Sequence, residues 1–329
     1  MIKKLLFFVL SILSTSAIAQ NFTVGGINYN ITDATNFKVE VGNNPGFTGV
    51  ANIPAIVNNG GQNYDVTAIR NSAFEDCSGL TSVTIPNSVT LIKYGAFLNC
   101  TGLTTVTIPN SVTTMNEAVF SGCSGLTSVN ISNSLTTIEL QTFSACTGLT
   151  TVTIPNSITV IGGEAFSTCI GLTTVTIPNS VNTISNYAFS SCTALTTVNC
   201  YIQNPLAIDG NVFGFINLNN CALNVPIGSE VAYEAAAVWT NFNPINGVLA
   251  TDSFVKNSFS MYPNPSNDSV NISLENNLQV EKVIIYNQLG QVVKTATTNV
   301  ISTSELAKGS YFVEVITNEG KATKQLIIQ

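Results

Sequence analysis

Phe74, Phe97, Phe120, Phe143, Phe166 and Phe189 recur at a constant step of 23 residues. Cys77, Cys100, Cys123, Cys146, Cys169 and Cys192 each follow three residues later, and Leu80, Leu103, Leu126, Leu149, Leu172 and Leu195 three later again. A fixed period in the twenties, with one side-chain type in each column, restricts a chain to a solenoid. A unit this small cannot bury its own apolar face, so coils stack and the core runs as a line. Solenoids present surfaces, which moves the functional expectation toward binding and away from catalysis.

Within one period, Leu103-Thr-Thr-Val106-Thr-Ile108-Pro109-Asn110-Ser111-Val112 places apolar residues at steps of three and two. Val106-Thr107-Ile108 alternates inward and outward, as a short parallel strand does, and Pro109, lacking an N–H, ends the ladder. Ser88, Ser111, Ser134, Ser157 and Ser180 form a column expected to hydrogen-bond the backbone of adjoining coils. The return half carries a second apolar set, such as Ile92, Phe97 and Cys100. Ala96, Ala165 and Ala188 before the Phe predict a tight helical turn there. Ser132 in place of Pro, and Val119 and Thr142 in place of Ala, predict local irregularity.

Composition narrows the function. Charged residues are 9 % of 329 and the net charge is −7. Nucleic acid is excluded as a partner, because its binding needs clustered cations and Lys93 is the only basic residue between 73 and 199. The chain has eight cysteines and no histidine. Without Cys-x-x-Cys or histidine no metal site is expected, and no cofactor either. Six cysteines in one repeat column behave as buried packing residues. Ladder disulfides between coils remain open, as does a pairing of Cys200 with Cys221. Serine nucleophiles would lack a histidine base, and Glu117, Glu139 and Glu164 are single acids on the return side, so the chain is read as no enzyme.

Lys3 and Lys4, the apolar run Leu5 to Leu13 and Ala17-Ile18-Ala19 have the order of a secretory signal cleaved after Ala19. Its loss takes the net charge from −7 to −9. No later stretch is apolar enough to span a membrane in the mature chain.

The outward strand positions are Ser82, Thr84, Thr105, Thr107, Ser128, Asn130, Thr151, Thr153, Thr174, Thr176, Thr197 and Asn199. They form a neutral array of hydroxyls and amides. One explanation is that small β-branched hydroxyls suit parallel strands and keep an uncharged surface wet. A second is ligand binding on the concave face, where solenoids bind. Lacking the Tyr, Trp and Arg of protein hot spots, such a face fits a polysaccharide, or a protein held weakly by many repeats. A third is ice binding, since Thr-x-Thr spaces hydroxyls roughly 6.7 Å along a strand and roughly 4.8 Å between strands. Asn130 and Asn199 interrupt that lattice.

After Trp239 the period ends. Residues 251–329 hold six basic and seven acidic side chains and several short alternating runs separated by turn residues, which predict a small β-sandwich.

The repeat resembles the BspA-like class of leucine-rich repeats, with a unit close to A-F-x-x-C-x-x-L-x-x-V-x-I-P-x-S-V-x-x-I. Ile53-Pro54, Tyr64-Asp65-Val66 and Ala73-Phe74 resemble that family's lead-in, and Leu223 to Pro226 with Tyr233 and Trp239 its closing cap. Met261-Tyr262-Pro263-Asn264-Pro265, the turn ending at Gly290, Gly309-Ser-Tyr311 and the terminal Lys-Gln-Leu-Ile-Ile-Gln329 resemble the type IX secretion sorting domain of Bacteroidetes. This resemblance implies a surface-exposed interaction protein that crosses the outer membrane by its tail and is then released or attached to surface lipopolysaccharide. The expected organisation is a signal peptide at 1–19, an N-terminal cap with a degenerate repeat at 20–72 and six leucine-rich repeats at 73–199. A closing cap at 200–250, a linker at 251–258 and an immunoglobulin-like sorting sandwich at 259–329 follow. The expected partners are the type IX machinery and an extracellular protein or polysaccharide. A structural, self-assembling surface-layer role is the alternative.

Overall fold

The computed structural model describes residues 21–249, 259–274, 279–288, 290–317 and 320–329. The expected signal peptide and linker lie outside the described residues. The chain divides into two compact units, the first running to Leu135 and including Glu139–Thr147, the second holding Thr136–Ile138 and everything from Gly148 onward.

The first unit opens with an antiparallel meander of Asn21–Val24, Ile27–Asp33 and Lys38–Val41. Lys38–Val41 then pairs in parallel with Gln62–Ile69, which pairs with Leu91–Ile92 and through it with Thr114–Met115. Two separate two-stranded ladders complete the coils, Gly49–Asn52 parallel to Leu80–Thr84 and Thr105–Thr107 parallel to Ser128–Asn130. The second unit repeats the plan. Its face ladder runs through Thr151–Thr153, Thr174–Ile177, Thr197–Cys200, Ala222–Pro226 and Ile245–Leu249, all parallel. Its return ladder joins Thr137–Ile138, Val160–Ile161 and Thr183–Ile184. The strand after each Leu was legible in the alternation of Val and Thr. The two-residue return ladder was not, because two residues carry no periodicity.

Phenylalanine rings form the spine. Phe74, Phe97, Phe120 and Phe143 stack with centroids 5.2–5.7 Å apart and planes within 4°. Phe47 meets Phe74 edge-on at 83°. In the second unit Phe166, Phe189 and Phe213 stack at 5.4 and 5.5 Å. Phe213 is closed off edge-on by Trp239 and Phe242. The stack thus takes in a coil from the segment expected to be the closing cap. Offset parallel rings and T-shaped ends are the arrangements favoured by the aromatic quadrupole. All six rings of the repeat column are fully buried, and burial of each is worth about 2–3 kcal/mol.

The eight cysteines are free and buried. Cys100, Cys123 and Cys146 donate their thiols at 3.0–3.2 Å to the carbonyls of Phe74, Phe97 and Phe120 in the preceding coil, and Cys192 does so to Phe166. Cys200 lies against the Tyr233 hydroxyl at 3.2 Å. Desolvation pushes the Cys123 and Cys221 thiols up to about 12 and Cys200 to about 11.

The expected helical turn before each Phe is replaced by two left-handed corners. Residues two before the Phe (Ser72, Gly95, Ala118, Gln141, Glu164, Tyr187) and two after it (Asp76, Asn99, Gly122, Ala145, Thr168, Ser191, Phe215) all have φ between 53° and 73°. A helical turn would direct its N–H groups back along its own chain. These corners instead aim them at the neighbouring coil: Asp76 N bonds Leu98 O, Asn99 N bonds Ser121 O and Thr168 N bonds Ser190 O, each at 2.8 Å. The described helices all lie between Leu218 and Asn241.

The coils with departures from the repeat stay regular. Ser132 is buried and donates to Val112 O at 2.9 Å while accepting from Ser134 N, and Ser128–Asn130 keeps its register. Buried Thr142 is satisfied by Glu139 O at 2.8 Å. The serine column is mixed, however. Ser180 donates to Ile158 O at 2.7 Å, whereas the buried hydroxyls of Ser111 and Ser157 have no partner among the described residues.

Residues from Phe259 onward form two antiparallel sheets. Phe259–Tyr262, Ser269–Leu274 and Val300–Ser302 make one. Val292–Ala296, Val280–Tyr286, Gly309–Thr317 and Gly320–Ile328 make the other. Phe259, Val270, Ile272, Val283, Ile285, Val313 and Leu326 belong to one buried cluster, as the alternating runs predict. No described helix is long and apolar enough to cross a membrane.

Candidate functional site

Inward Val83, Val106, Val152, Val175 and Val198 are buried, which turns the residues on either side of each of them outward. In the first unit Thr105 lies opposite Ser128 and Thr107 opposite Asn130. Thr84 and Thr107 are exposed, and Thr84 donates to Asn52 Oδ1 at 3.2 Å. Asn130 Nδ2 reaches Thr107 Oγ1 at 3.4 Å. In the second unit Thr151, Thr174 and Thr197 form one column, and Thr153, Thr176 and Asn199 the next.

The structure separates two classes of threonine that look identical in sequence. Four of those directly after the Leu bond the backbone of the coil before. Thr81, Thr127, Thr173 and Thr196 donate at 3.0–3.3 Å to the carbonyls of Gly49, Thr104, Thr150 and Thr173. Their hydroxyls are consumed by the stack. The hydroxyls of Thr105, Thr151, Thr153 and Thr174 show no internal hydrogen bond among the described residues, and those of Thr107 and Thr176 only accept from an asparagine. A hydroxyl left to solvent offers one donor and two lone pairs to whatever docks there.

Sequence reasoning missed two members of the face. Beyond Asn199 the outward column continues into Asn224 and Asn246. The amides run head to tail. Asn199 Nδ2 donates to Thr176 Oγ1 at 3.4 Å, Asn224 Nδ2 to Asn199 Oδ1 at 2.8 Å and Asn246 Nδ2 to Asn224 Oδ1 at 3.0 Å. The available signal was Leu223-Asn224-Val225, which repeats the apolar-Asn-apolar alternation of Val198-Asn199-Cys200.

On the return side, burial raises the Glu139 carboxyl and Glu117 adds to the shift. The residues of the C-terminal motif are placed by the last sheet. Asn264 Oδ1 accepts from Ile327 N at 2.9 Å and its Nδ2 donates to Gln325 O at 2.8 Å, so this side chain pins the final strand. Pro263 and Pro265 flank Asn264 at the surface, beside exposed Tyr262. Gly290 has φ 78° in the turn closed by Asn287, and Gly309, with φ 150°, begins the strand of Tyr311. The Tyr311 hydroxyl is tied to Ala307 O at 2.8 Å.

Residues 67–196 and 125–233, together just over half of the chain, match the family described as BspA type leucine rich repeat region, in six copies. Residues 260–329 match the secretion system C-terminal sorting domain. A leucine-rich repeat protein from Bacteroides ovatus is similar in structure, with 30 % identity and a TM-score of 0.54 over 66 % of this chain and 57 % of that one. A leucine rich cell surface protein from Faecalibacterium prausnitzii is 32 % identical, with a TM-score of 0.47 over 58 % of this chain and 57 % of that one. A leucine rich repeat protein from T. pallidum is 26 % identical, with a TM-score of 0.49 over 54 % and 81 %. This chain therefore spans less than two thirds of the first two structures. No curated protein matches it.

Proposed function

The chain belongs to the BspA-type leucine-rich repeat proteins and ends in a type IX sorting domain that directs it to the cell surface or the medium, and from that premise we propose that it is a non-catalytic binding protein. Its outward face of Ser82, Thr84, Thr105, Thr107, Ser128, Asn130, Thr151, Thr153, Thr174, Thr176, Thr197 and Asn199 meets an extracellular polysaccharide or protein. The secretion machinery engages it through the C-terminal domain, after removal of a leader near Ala19. The observation that carries the reading is the division of labour among threonines. Packing alone explains Thr127 and Thr173, whose hydroxyls are bonded within the stack. It does not explain the outward columns, where the hydroxyls of Thr105, Thr151 and Thr153 are left to solvent.

The test compares the full chain with a variant carrying Thr107→Lys, Thr153→Lys and Thr176→Lys, across a panel of polysaccharides and extracellular-matrix proteins. Saturable binding lost in the variant supports the face. Binding retained by the variant moves the site to the return side or the caps. Absence of binding, together with concentration-dependent assembly, favours the structural role.

A further inference from the structure

The amide ladder gives the second unit a part of the face with chemistry of its own. Thr176, Asn199, Asn224 and Asn246 stand on four successive strands, each linked to the next by the hydrogen bonds described above. Each asparagine amide has two N–H donors and an oxygen with two lone pairs. The ladder uses one donor on each asparagine and one lone pair on Asn199 and Asn224, so an N–H and a lone pair on every asparagine, and the Thr176 O–H, stay available. Rungs of a parallel sheet stand roughly 4.8 Å apart, which spreads these groups over roughly 14 Å.

Three further observations narrow the ligand. Thr174, Thr176, Thr197, Asn199, Asn224 and Asn246 are all half-buried, whereas Thr151 and Thr153 on the first strand of this sheet are exposed. Neither charged nor aromatic residues occur within the five strands. The amides are held by one another before any ligand arrives, so little side-chain entropy is lost on binding. A protein partner would look for buried aromatic or arginine anchors, and a charged polymer for counter-charges. A neutral polyol needs neither. It needs donors and acceptors interleaved at a regular step, and an extended chain of equatorially linked pyranoses advances by a distance comparable to the strand spacing.

We propose that Thr176, Asn199, Asn224 and Asn246, flanked by Thr174 and Thr197, form a binding site for an extended neutral polysaccharide, running across the strands with its hydroxyls paired to the amide ladder. This rests on the reading of the outward face as a binding surface and gives that surface a ligand class and a location.

The experiment titrates the full chain with cellohexaose, a β-1,4-mannohexaose and laminarihexaose, with hyaluronate oligomers and fibronectin as charged and protein comparators. Asn224→Ala and Thr176→Val each remove groups from the ladder, and Thr107→Lys alters the face in the first unit. Far-UV circular dichroism and the unfolding midpoint check each variant. Binding of a neutral hexasaccharide is expected, weakened about five- to tenfold by Asn224→Ala or Thr176→Val, the scale of one or two lost hydrogen bonds. Should Asn224→Ala disturb the fold, Thr176→Val decides, because it conserves shape and β propensity. Binding lost in Thr107→Lys and unaffected by Thr176→Val would leave the face standing and overturn this site. Binding of fibronectin or hyaluronate with none of the hexasaccharides would overturn the ligand class. No binding to any probe would overturn both.

Discussion

Glu40 and Lys93 are 53 residues apart in sequence, and Lys93 Nζ lies 2.6 Å from Glu40 Oε2. The Glu40 side chain is only 9 % exposed, and the Arg70 guanidinium approaches its other oxygen at 3.9 Å. The carboxylate sits where the N-terminal meander joins the return ladder, so one buried acid fastens the first coils together. Lys93→Met is expected to lower stability by about 2 kcal/mol, because it leaves a buried acceptor without its close cation. Adding Glu40→Leu should return most of that loss. Urea midpoints of the single and double variants check the coupling, and additive losses would show that the pair is not coupled.

The left-handed corners predict an inverted response to glycine. Ala145 and Thr168 have φ of 56° and 61°, a conformation costing a residue with a Cβ about 1–2 kcal/mol. Ala145→Gly and Thr168→Gly relieve that cost and set it against a looser unfolded chain. The expected result is between no change and about 1 kcal/mol of stabilisation. Ala165→Gly, at a fully buried position without positive φ, should cost about 1 kcal/mol or more. Equal losses at all three positions would sink the account.

The buried thiols predict alkaline unfolding. Burial raises Cys123 and Cys221 from 9.0 to about 12. Between these values the unfolded chain releases thiol protons that the folded chain keeps. Stability is therefore intact below pH 9.0 and falls as pH rises toward about 12, at about 1.4 kcal/mol per pH unit for each such thiol. Chemical denaturation from about pH 8 to about 11 measures the slope. A flat profile would contradict it. Iodoacetamide at about pH 8 should label the eight thiols only after denaturation.

Two serines of one column should answer differently. Ser111 Oγ is buried without a partner among the described residues, whereas Ser180 Oγ donates to Ile158 O at 2.7 Å. Ser111→Ala removes an unmet desolvation cost and should be neutral or stabilising, by up to about 1 kcal/mol. Ser180→Ala should cost about 1 kcal/mol. Thermal midpoints of both variants distinguish the positions, and a reversed order would reject the assignment.

The final strand should depend on one side chain near the start of its domain. Asn264→Ala removes bonds to Ile327 N and Gln325 O, with an expected loss of about 1–3 kcal/mol. Faster amide exchange at Ile327 is the direct readout, and unchanged protection there would show that the clamp is dispensable.

By itself the sequence determined everything that a one-dimensional repeat can carry. The columns of Phe, Cys and Leu predict stacked coils, and the alternation in Thr105-Val106-Thr107 predicts which side chains face outward. Both depend only on residue type and step along one coil. The family and the sorting tail were legible for the same reason, since their motifs are local. Tertiary structure alone decided how each group is used, because hydrogen-bond partners come from another coil. Thr173 and Thr174 are the same residue one step apart, and only stacking gives the first hydroxyl a carbonyl, Thr150 O, while leaving the second without an internal bond among the described residues. The left-handed corners at Asn99 and Thr168 appear only once their N–H groups have a carbonyl to meet on the next turn. Asn224 and Asn246 join the outward column only because their strands continue the sheet, after the sequence period that would have announced them has ended.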